Sequence, residues 1–330
     1  MLILRKDFLS SPKSLITIIL AVVCGHYLNI VSLLNLPYQT INTTPMKKIL
    51  LPTDFSKASE KAIHYALALF DDTACEFTLL HTYSTNTEPE IAMYVLEDLR
   101  NNAESLMKKF LKEIKKFDNE SFHTFKTELM PLSVASAIEI LNQTHNYDLV
   151  ILGASGTGNS LLFGSVATDV VRNVHTNTMV IPTNISIQPI RNIVLAVDYQ
   201  QVSNFSIFEN LKDILTRKES KLTFLTILKD EDSPETLDGL AKYEYHNYFE
   251  NIITEDYFIK NKDVDAGIKE FLEIHRVDML VMVSRHHSFL DVIFNRSATR
   301  KFAFHPTVPL LSIYDEVSEE FIPDAEIVTF

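Results

Sequence analysis

Two hydrophobic patterns alternate along the chain from residue 46 onward. Short runs rich in leucine, isoleucine and valine, such as residues 48–53 and 148–152, have the length of buried strands. Between these runs, apolar residues recur at three- and four-residue spacing, which is typical of amphipathic helices. Strands that alternate with helices in this way indicate βαβ units and a parallel sheet.

The region before residue 184 contains enough of these segments for one complete domain. We predict strands at 48–53, 77–82, 122–129, 148–152 and 178–181. We predict helices at 56–70, with Ser56 as the N-cap, and at 90–117, 133–144 and 165–174. Pro182 then ends the pattern.

The pattern then starts again, which indicates an internal repeat. The run ILLPTD at 49–54 returns as IVLAVD at 193–198, and LVILG at 149–153 returns as LVMVS at 280–284. Predicted strands in this repeat are 192–197, 222–228, 252–258, 280–284 and 310–314, and predicted helices are 204–215, 235–249 and 266–275. The fold class is therefore predicted as α/β, with two tandem Rossmann-like domains, each a five-stranded parallel open sheet flanked by helices. Their expected limits are 46–183 and 191–315, with a linker at 184–190 and an acidic tail at 316–330.

Residues 1–45 form an apolar extension that leaves three interpretations open, namely a mis-assigned start, a signal anchor and a soluble helix. Residues 15–36 are almost wholly apolar, have the length of a membrane span and follow the basic residues Arg5, Lys6 and Lys13. A signal anchor would place the rest of the chain outside the cytoplasm, where no nucleotide pool exists. Met46 directly precedes the first strand, as an ordinary first residue would, which favours a mis-assigned start. We expect a cytoplasmic protein, with membrane anchoring through residues 15–36 as the alternative.

Composition excludes several classes of function. The formal net charge is −13 and no long basic run occurs, which disfavours binding to nucleic acid. Cys24 and Cys75 form no CxxC pair, so we expect a reducing, intracellular compartment. His286 and His287 are adjacent and lack the spacing of a helical metal-binding pair, so no metal site is predicted.

Glycine is concentrated in one segment. Of seven glycines, Gly153, Gly156, Gly158 and Gly164 fall within twelve consecutive positions. They follow the predicted strand 148–152 and precede a predicted helix that starts at Ser165, the position where open parallel sheets bind ligands. Glycines there allow main-chain N–H groups to approach phosphate oxygens, and the helix N-terminus favours an anion. A glycine turn without a ligand is the alternative.

The end of the first predicted strand would supply the other wall of this site. Pro52, Thr53 and Asp54 precede the helix that starts near Ser56. Asp54 either contacts a ligand or caps that helix. Thr82, at the end of the second strand, faces the same crevice by topology.

These residues resemble the universal stress protein family. ILLPTDFSKASEKA, LLHT at 79–82 and LVILGASGTGNSLLFGS at 149–165 carry the resemblance, which extends over 46–183. It implies an adenine nucleotide alpha hydrolase-like fold that binds ATP, AMP or ADP, with or without Mg²⁺. It also implies that nucleotide contacts come from Pro52, Thr53, Asp54, Thr82, Leu152, Gly153, Gly156, Gly158, Gly164, Ser165 and Val166. The spacing between Gly156 and Gly164 is two residues shorter than the family pattern.

The second repeat resembles the degenerate half of tandem family members. In approximate alignment, Ser284, His287 and Arg296 replace three of the loop glycines, so we expect no nucleotide of the usual kind there. The resemblance further implies that the domains pair through their last strands, as a pseudo-dimer within one chain, and that two chains form a homodimer.

Two functions from different classes remain open. The first is a nucleotide-gated regulatory protein of the stress response. The second is a dimerisation or protein-interaction module that binds no nucleotide. Dehydrogenase chemistry is not expected because the first turn, PTDFSKAS, lacks glycine. No lysine follows the loop glycines, so at most slow ATP hydrolysis is expected.

Overall fold

The computed structural model describes residues 46–84, 89–118, 120, 122–154, 165–199, 202, 204–229, 233–234, 237–284 and 307–316. All of them fall within one compact unit, Met46–Phe330. Within these ranges no helix combines the length and the apolar character that crossing a membrane requires. The predictions for residues 1–45 lie outside the described residues.

The chain forms ten strands and seven α-helices among the described residues. The strands are β1 Lys47–Pro52, β2 Cys75–Thr82, β3 Thr124–Met130, β4 Leu149–Ala154, β5 Thr178–Pro182, β6 Asn192–Ala196, β7 Lys221–Leu228, β8 Thr254–Lys260, β9 Met279–Ser284 and β10 Leu310–Tyr314. The helices are α1 Lys57–Leu69, α2 Pro89–Phe117, α3 Val134–His145, α4 Ser165–Asn173, α5 Glu209–Arg217, α6 Gly239–Tyr248 and α7 Val264–Ile274.

All ten strands belong to one sheet, in the order β3-β2-β1-β4-β5-β10-β9-β6-β7-β8. Reading outward from the centre, β5-β4-β1-β2-β3 matches β10-β9-β6-β7-β8, so the second half repeats the strand order of the first. Within each half the strands are parallel. The predicted α/β class and the mainly parallel open sheet are therefore confirmed.

The halves meet at an antiparallel seam between β5 and β10. Leu310 lies opposite Val180, and Ser312 lies opposite Thr178. The Tyr314 amide donates to Asn177 Oδ1 at 3.0 Å, next to the last residues of the seam. The expected pairing of the two last strands is thus observed within one chain. Because β10 runs against β5, the carboxyl edges of the two half-sheets face opposite directions.

A hydrophobic core covers each face of the sheet. Ile49 and Leu51 of β1 belong to the core under α1, α2, α5 and α6. Leu50, between them, belongs to the core under α3, α4 and α7. Both cores contain residues from both halves. Because successive side chains of β1 enter opposite cores, Ile49, Leu50 and Leu51 are all apolar.

Side-chain capping fixes several helix starts, as predicted for Ser56. Ser56 and Ser133 accept hydrogen bonds from Ser59 N and Ser136 N, which fixes the starts of α1 and α3. The predicted helix 204–215 is instead a 3-10 turn, Phe205–Phe208, followed by α5. The helix predicted from residue 235 begins only at Gly239, because the Asp238 side chain caps it.

A cluster of charged groups joins α5 to the turn after α1, across the two halves. Arg217 contacts Asp72 and donates to the Leu69 carbonyl oxygen at 3.2 Å. Lys218 Nζ lies 2.7 Å from Asp71 Oδ1 and 3.0 Å from Asp72 Oδ2. The cluster supplements the main-chain seam with side-chain contacts.

Asp256 should make the second half sensitive to acid. Burial alone would raise its pKa, but hydrogen bonds from Tyr199 at 2.7 Å, Lys242 and His246 outweigh that effect and hold the pKa below its ordinary value. A lowered folded-state pKa stabilises the fold above the unfolded value of about 3.9, and this stabilisation is lost as pH falls further. We expect Asp256→Asn to lower the urea midpoint at pH 7, with a smaller difference from wild type at pH 3.

The exposed Asp98, on α2, provides the matched control for that experiment. Asp98→Asn should leave the urea midpoint unchanged at both pH values. An Asp256→Asn difference that stays constant between pH 7 and pH 3 would contradict the assignment.

Candidate functional site

A cavity opens at the carboxyl edge of the first half-sheet, where β1, β2 and β4 end. Its volume is about 100 Å³, less than the roughly 150 Å³ of an apolar cavity that accepts benzene. A whole nucleotide would therefore extend beyond it. The lining residues are Pro52, Thr53, Asp54, Ser56, Ser59, Leu80, His81, Thr82, Val134, Leu152, Gly153 and Val166.

Seven of the eleven predicted contact residues line this cavity. They are Pro52, Thr53, Asp54, Thr82, Leu152, Gly153 and Val166. Ser165 opens α4 but is not among the lining residues. Gly156, Gly158 and Gly164 lie outside the described residues. Five lining residues were not predicted, namely Ser56, Ser59, Leu80, His81 and Val134.

Three helices begin at the cavity. Ser56 and Ser59 belong to the start of α1, Val134 is the first residue of α3 and Val166 is the second of α4. The N-terminus of a helix carries a partial positive charge and unpaired N–H groups. No lysine or arginine is among the described lining residues. An anionic group here would therefore be bound by main-chain N–H groups rather than by basic side chains.

Hydrogen bonds fix the hydroxyl groups of the cavity in place. Thr53 is buried, and its Oγ1 lies 3.0 Å from Ser59 Oγ and accepts from the Phe55 amide at 3.0 Å. Ser59 Oγ also donates to the Ser56 carbonyl oxygen at 3.0 Å. These bonds join the end of β1 to the first turn of α1, so the polar wall is rigid before any ligand enters.

His81 has one ring nitrogen fixed by the fold. Its Nδ1 lies 2.8 Å from the Thr53 carbonyl oxygen, which can only accept, so Nδ1 carries the hydrogen. The ring packs on Phe55 at a centroid distance of 4.4 Å. Nε2 is therefore the ring nitrogen that remains for contact with a ligand.

Asp54 forms a local hydrogen bond at the mouth of the cavity. Burial would raise its pKa, but hydrogen bonds with Ser56 and Ser59 outweigh this and hold the pKa below its ordinary value. One of these bonds runs from Ser56 N to Asp54 Oδ1 at 3.0 Å. Ser56, not Asp54, is the N-cap of α1. The carboxylate is thus charged and exposed beside the cavity.

The backbone takes an unusual conformation next to Asp54. Phe55 has φ of 61°, in the left-handed region that disfavours residues other than glycine. Tyr199, the corresponding residue of the repeat, has φ of 53°. Both halves therefore keep the same strained turn between the first strand and the first helix.

Gly153 allows α1 to approach β4 closely. A Cβ atom at this position would lie 2.5 Å from the Ala58 carbonyl oxygen and 3.1 Å from the Ser59 amide nitrogen. Neither backbone atom can move without shifting the helix. Packing alone therefore accounts for a glycine here, independently of any phosphate.

The corresponding edge of the second half is less polar. Val197 donates its amide to Leu225 O as Thr53 does to Leu80 O, which fixes the alignment of the two edges. By that alignment, Ile227 takes the position of Thr82. A Cβ on Gly267, in α7, would lie 2.8 Å from Ile227 Cδ1, so the isoleucine packs directly on that helix. Ser284 ends β9; His287 and Arg296 lie outside the described residues.

An open, mainly parallel α/β sheet flanked by helices is a fold of the Rossmann-like class, in which ligands bind at the carboxyl edge of the strands. Within that class, residues 45–182 match the sequence profile of the universal stress protein family. The match is confined to this region and identifies it as a universal stress protein domain. A search of curated protein sequences finds no significant match.

One solved structure agrees with the fold over most of the chain. A universal stress protein from Archaeoglobus fulgidus aligns with 81% of this chain and 96% of its own, with a TM-score of 0.61 and 17% identity. This alignment therefore extends beyond the first half of the chain into the second. UspA from Lactobacillus plantarum aligns with 41% of this chain and 96% of its own, at 24% identity and a TM-score of 0.36. A universal stress protein in complex with cAMP aligns with 42% and 98%, at 18% identity and a TM-score of 0.33.

Proposed function

We propose that this chain is a stress-response regulatory protein that binds an adenine nucleotide, ATP in particular, in the cavity of its first half. The observation that carries the proposal is the convergence of three helix N-termini on a cavity bounded by apolar side chains and fixed hydroxyls. Such a cavity suits a ligand with a flat apolar part and an anionic part.

Each part of the nucleotide has a matching group. Leu80, Val134 and Leu152 offer apolar surface for the base. Asp54 lines the cavity, and in this proposal its carboxylate accepts hydrogen bonds from ribose hydroxyls. The N-terminus of α4 follows the loop glycines, so phosphates and an accompanying Mg²⁺ belong on that side. ATP requires a compartment that contains it, and we therefore infer a cytoplasmic protein.

The second half would act as a fixed partner rather than a second nucleotide site. Ile227 packs on α7 where the first half has Thr82 beside its cavity. In this proposal, nucleotide binding alters a surface of the first half that a protein partner or a second chain contacts.

One observation favours the alternative of a dimerisation or interaction module without a nucleotide. Gly153 is explained by the packing of α1 on β4. The presence of a glycine at position 153 is thus explained without ligand binding. The two functions differ in whether ATP binds at all, so a direct binding measurement separates them.

Asp54→Ala tests the proposal, with Asp198→Ala as the matched control. Asp198 occupies the same position in the second repeat and is exposed like Asp54. Loss of hydrogen bonds to a charged group should weaken ATP binding in calorimetry by about tenfold or more for Asp54→Ala. Asp198→Ala should match wild type. An absence of heat with wild-type protein at millimolar ATP and AMP would leave the interaction module as the function.

A further inference from the structure

The outer face of the second half of α2 is strongly basic, although the protein carries a formal net charge of −13. Residues 108–116 contain five lysines and a single acidic residue, Glu113, and no other stretch of nine residues is as basic. With 3.6 residues per turn, the five lysines fall within an arc of about 120°. Met107 and Ile114, which are buried, lie on the opposite side. The lysines therefore form one exposed surface, which we call the lysine face: Lys108, Lys109, Lys112, Lys115 and Lys116.

Much of the lysine face lacks a counter-charge. Lys116 Nζ lies 2.6 Å from Glu113 Oε2, and Lys115 Nζ lies over the Phe125 ring at 5.5 Å. The members that form no hydrogen bond or ion pair with any described residue are Lys108, Lys109 and Lys112. Like charges three or four residues apart destabilise a helix. A bound anionic segment would remove this repulsion.

Exposed apolar side chains border the lysine face. Leu106 is 40% exposed and Phe117 is 58% exposed. They lie on the same side of the helix, because they are about three turns apart. The Phe117 ring packs on His64 of α1 at a centroid distance of 4.3 Å, so this border faces α1. A segment that fits the whole surface must combine negative charges with apolar side chains.

The acidic tail of this chain, residues 316–330, has that composition. It contains no lysine or arginine. Its acidic residues are Glu316, Glu319, Glu320, Asp324 and Glu326. Its larger apolar residues are Val317, Phe321, Ile322, Ile327, Val328 and Phe330. Residues 317–330 lie outside the described residues, so the relevant observation is the place from which they start.

The acidic tail starts at the same edge of the sheet at which α2 ends. The Tyr314 amide donates to Asn177 Oδ1, just before β5, so the chain leaves β10 at the amino edge of the first half-sheet. α2 ends at Phe117, before β3 starts at that edge. β10 and β3 are five strand positions apart, about 24 Å. Residues 317–330 can extend over about 46 Å, which is long enough to reach the lysine face.

We propose that the acidic tail binds the lysine face of its own chain, with its carboxylates on the lysines and its apolar side chains over Leu106 and Phe117. Exposed ion pairs are individually weak, but the tether gives the tail a high effective concentration. The tail therefore acts as an internal competitor. An acidic partner protein gains access to the lysine face only by displacing it.

Reversing two charges of the lysine face should release the acidic tail. A glutamyl endopeptidase cleaves after Glu319, Glu320 and Glu326, and a bound segment is protected from cleavage. In the full chain with Lys108→Glu and Lys112→Glu, cleavage in the tail should be about fivefold faster than in wild type at low salt, because repulsions replace attractions. Mass spectrometry of the released fragments measures the rate. High salt should reduce the difference, since it screens exposed charges.

Lys260→Glu with Lys269→Glu is the matched control. It makes the same change of charge on two exposed lysines, in β8 and α7. β8 is the opposite edge strand of the sheet, and α7 covers the other face. Cleavage of the tail should keep the wild-type rate in this variant. Equal rates in wild type and in Lys108→Glu with Lys112→Glu overturn the proposal, as does a control variant that is cleaved as fast as the reversed one.

Cross-linking with a carbodiimide locates the tail and identifies the chain to which it belongs. The reagent joins an amine to a carboxylate only where the two groups are in contact. In an equal mixture of unlabelled and ¹⁵N-labelled protein, wild type should give peptides that link residues 317–330 to the lysine face within one isotope. Links between isotopes would place the tail on a second copy, and links to Lys269 instead would place it on the other face of the sheet. Either result overturns the proposal. Neither experiment contains a nucleotide, so the outcome is independent of the nucleotide proposal.

Discussion

Gly153→Ala should lower the stability of the protein, although it adds a single methyl group. The new Cβ would lie 2.5 Å from the Ala58 carbonyl oxygen and 2.7 Å from the Ala58 carbonyl carbon. Relief requires α1 to move away from β4, and overpacking of this kind costs about 1–3 kcal/mol. For domains of 150–250 residues that corresponds to a fall of roughly 2–4 °C in Tm per kcal/mol, and the fall per kcal/mol is smaller in this longer chain. Thermal and urea unfolding measure both quantities.

Gly239→Ala is the control for this substitution. Gly239 is the first residue of α6, and a Cβ there would meet nothing within 4 Å. Alanine is a better helix former than glycine, so stability should be equal to wild type or higher by up to about 1 kcal/mol. If Gly153→Ala unfolds at the wild-type midpoint, α1 is not held against β4 as described. A glycine substitution at 153 therefore tests the fold before it tests the ligand site.

Arg217→Ala should lower the stability of the protein more than the loss of an exposed charge does. Its side chain is 16% exposed and joins Asp72 of the first half to Asp213 of the second. It also lies over the Phe70 ring at 5.1 Å. Breaking a buried pair costs about 3–5 kcal/mol, and since Asp72 is 38% exposed we expect about 2–3 kcal/mol after discounting for solvent screening. Loss of this link should also broaden the urea transition, because the halves are less strongly coupled.

Arg100→Ala is the matched comparison, because it also replaces an arginine that is paired with a carboxylate. Arg100 is 64% exposed and pairs with Glu104 within one helix, at 3.3 Å. Exposed pairs of this kind contribute about 0.3–0.5 kcal/mol. Equal effects of Arg217→Ala and Arg100→Ala on the unfolding midpoint would show that the cluster between the halves adds nothing beyond an ordinary surface pair.

Much of the fold could be predicted because local signals and burial agree. β1 is apolar at consecutive positions, since both faces of the sheet are covered, and Ser56 marks the start of α1. The prediction was less accurate where side-chain capping determines a helix start. Apolar spacing suggested one helix at 204–215, but Asn204 instead starts a 3-10 turn before α5.

The candidate site was predictable only in part. Residues at the carboxyl ends of β1 and β2 were predicted correctly as cavity residues because parallel strands end at one edge. His81 was not predicted, because adjacent strand residues point to opposite faces and Thr82 had been assigned to the cavity. The cavity extends around the strand ends, so both residues line it. Val134 was not predicted, because the approach of α3 to the cavity depends on packing between distant segments. The sequence did indicate that α3 starts near Ser133, its N-cap.

The β5–β10 seam also determines how the protein responds to dilution. Two separate domains that pair through edge strands fall apart when their concentration drops below the dissociation constant. Here both strands belong to one polypeptide, so their association is an intramolecular event with a fixed effective concentration. The ten-stranded sheet should persist at any cellular abundance of the protein. Changes in expression level can then alter how much of the protein is present without altering how its two halves are assembled.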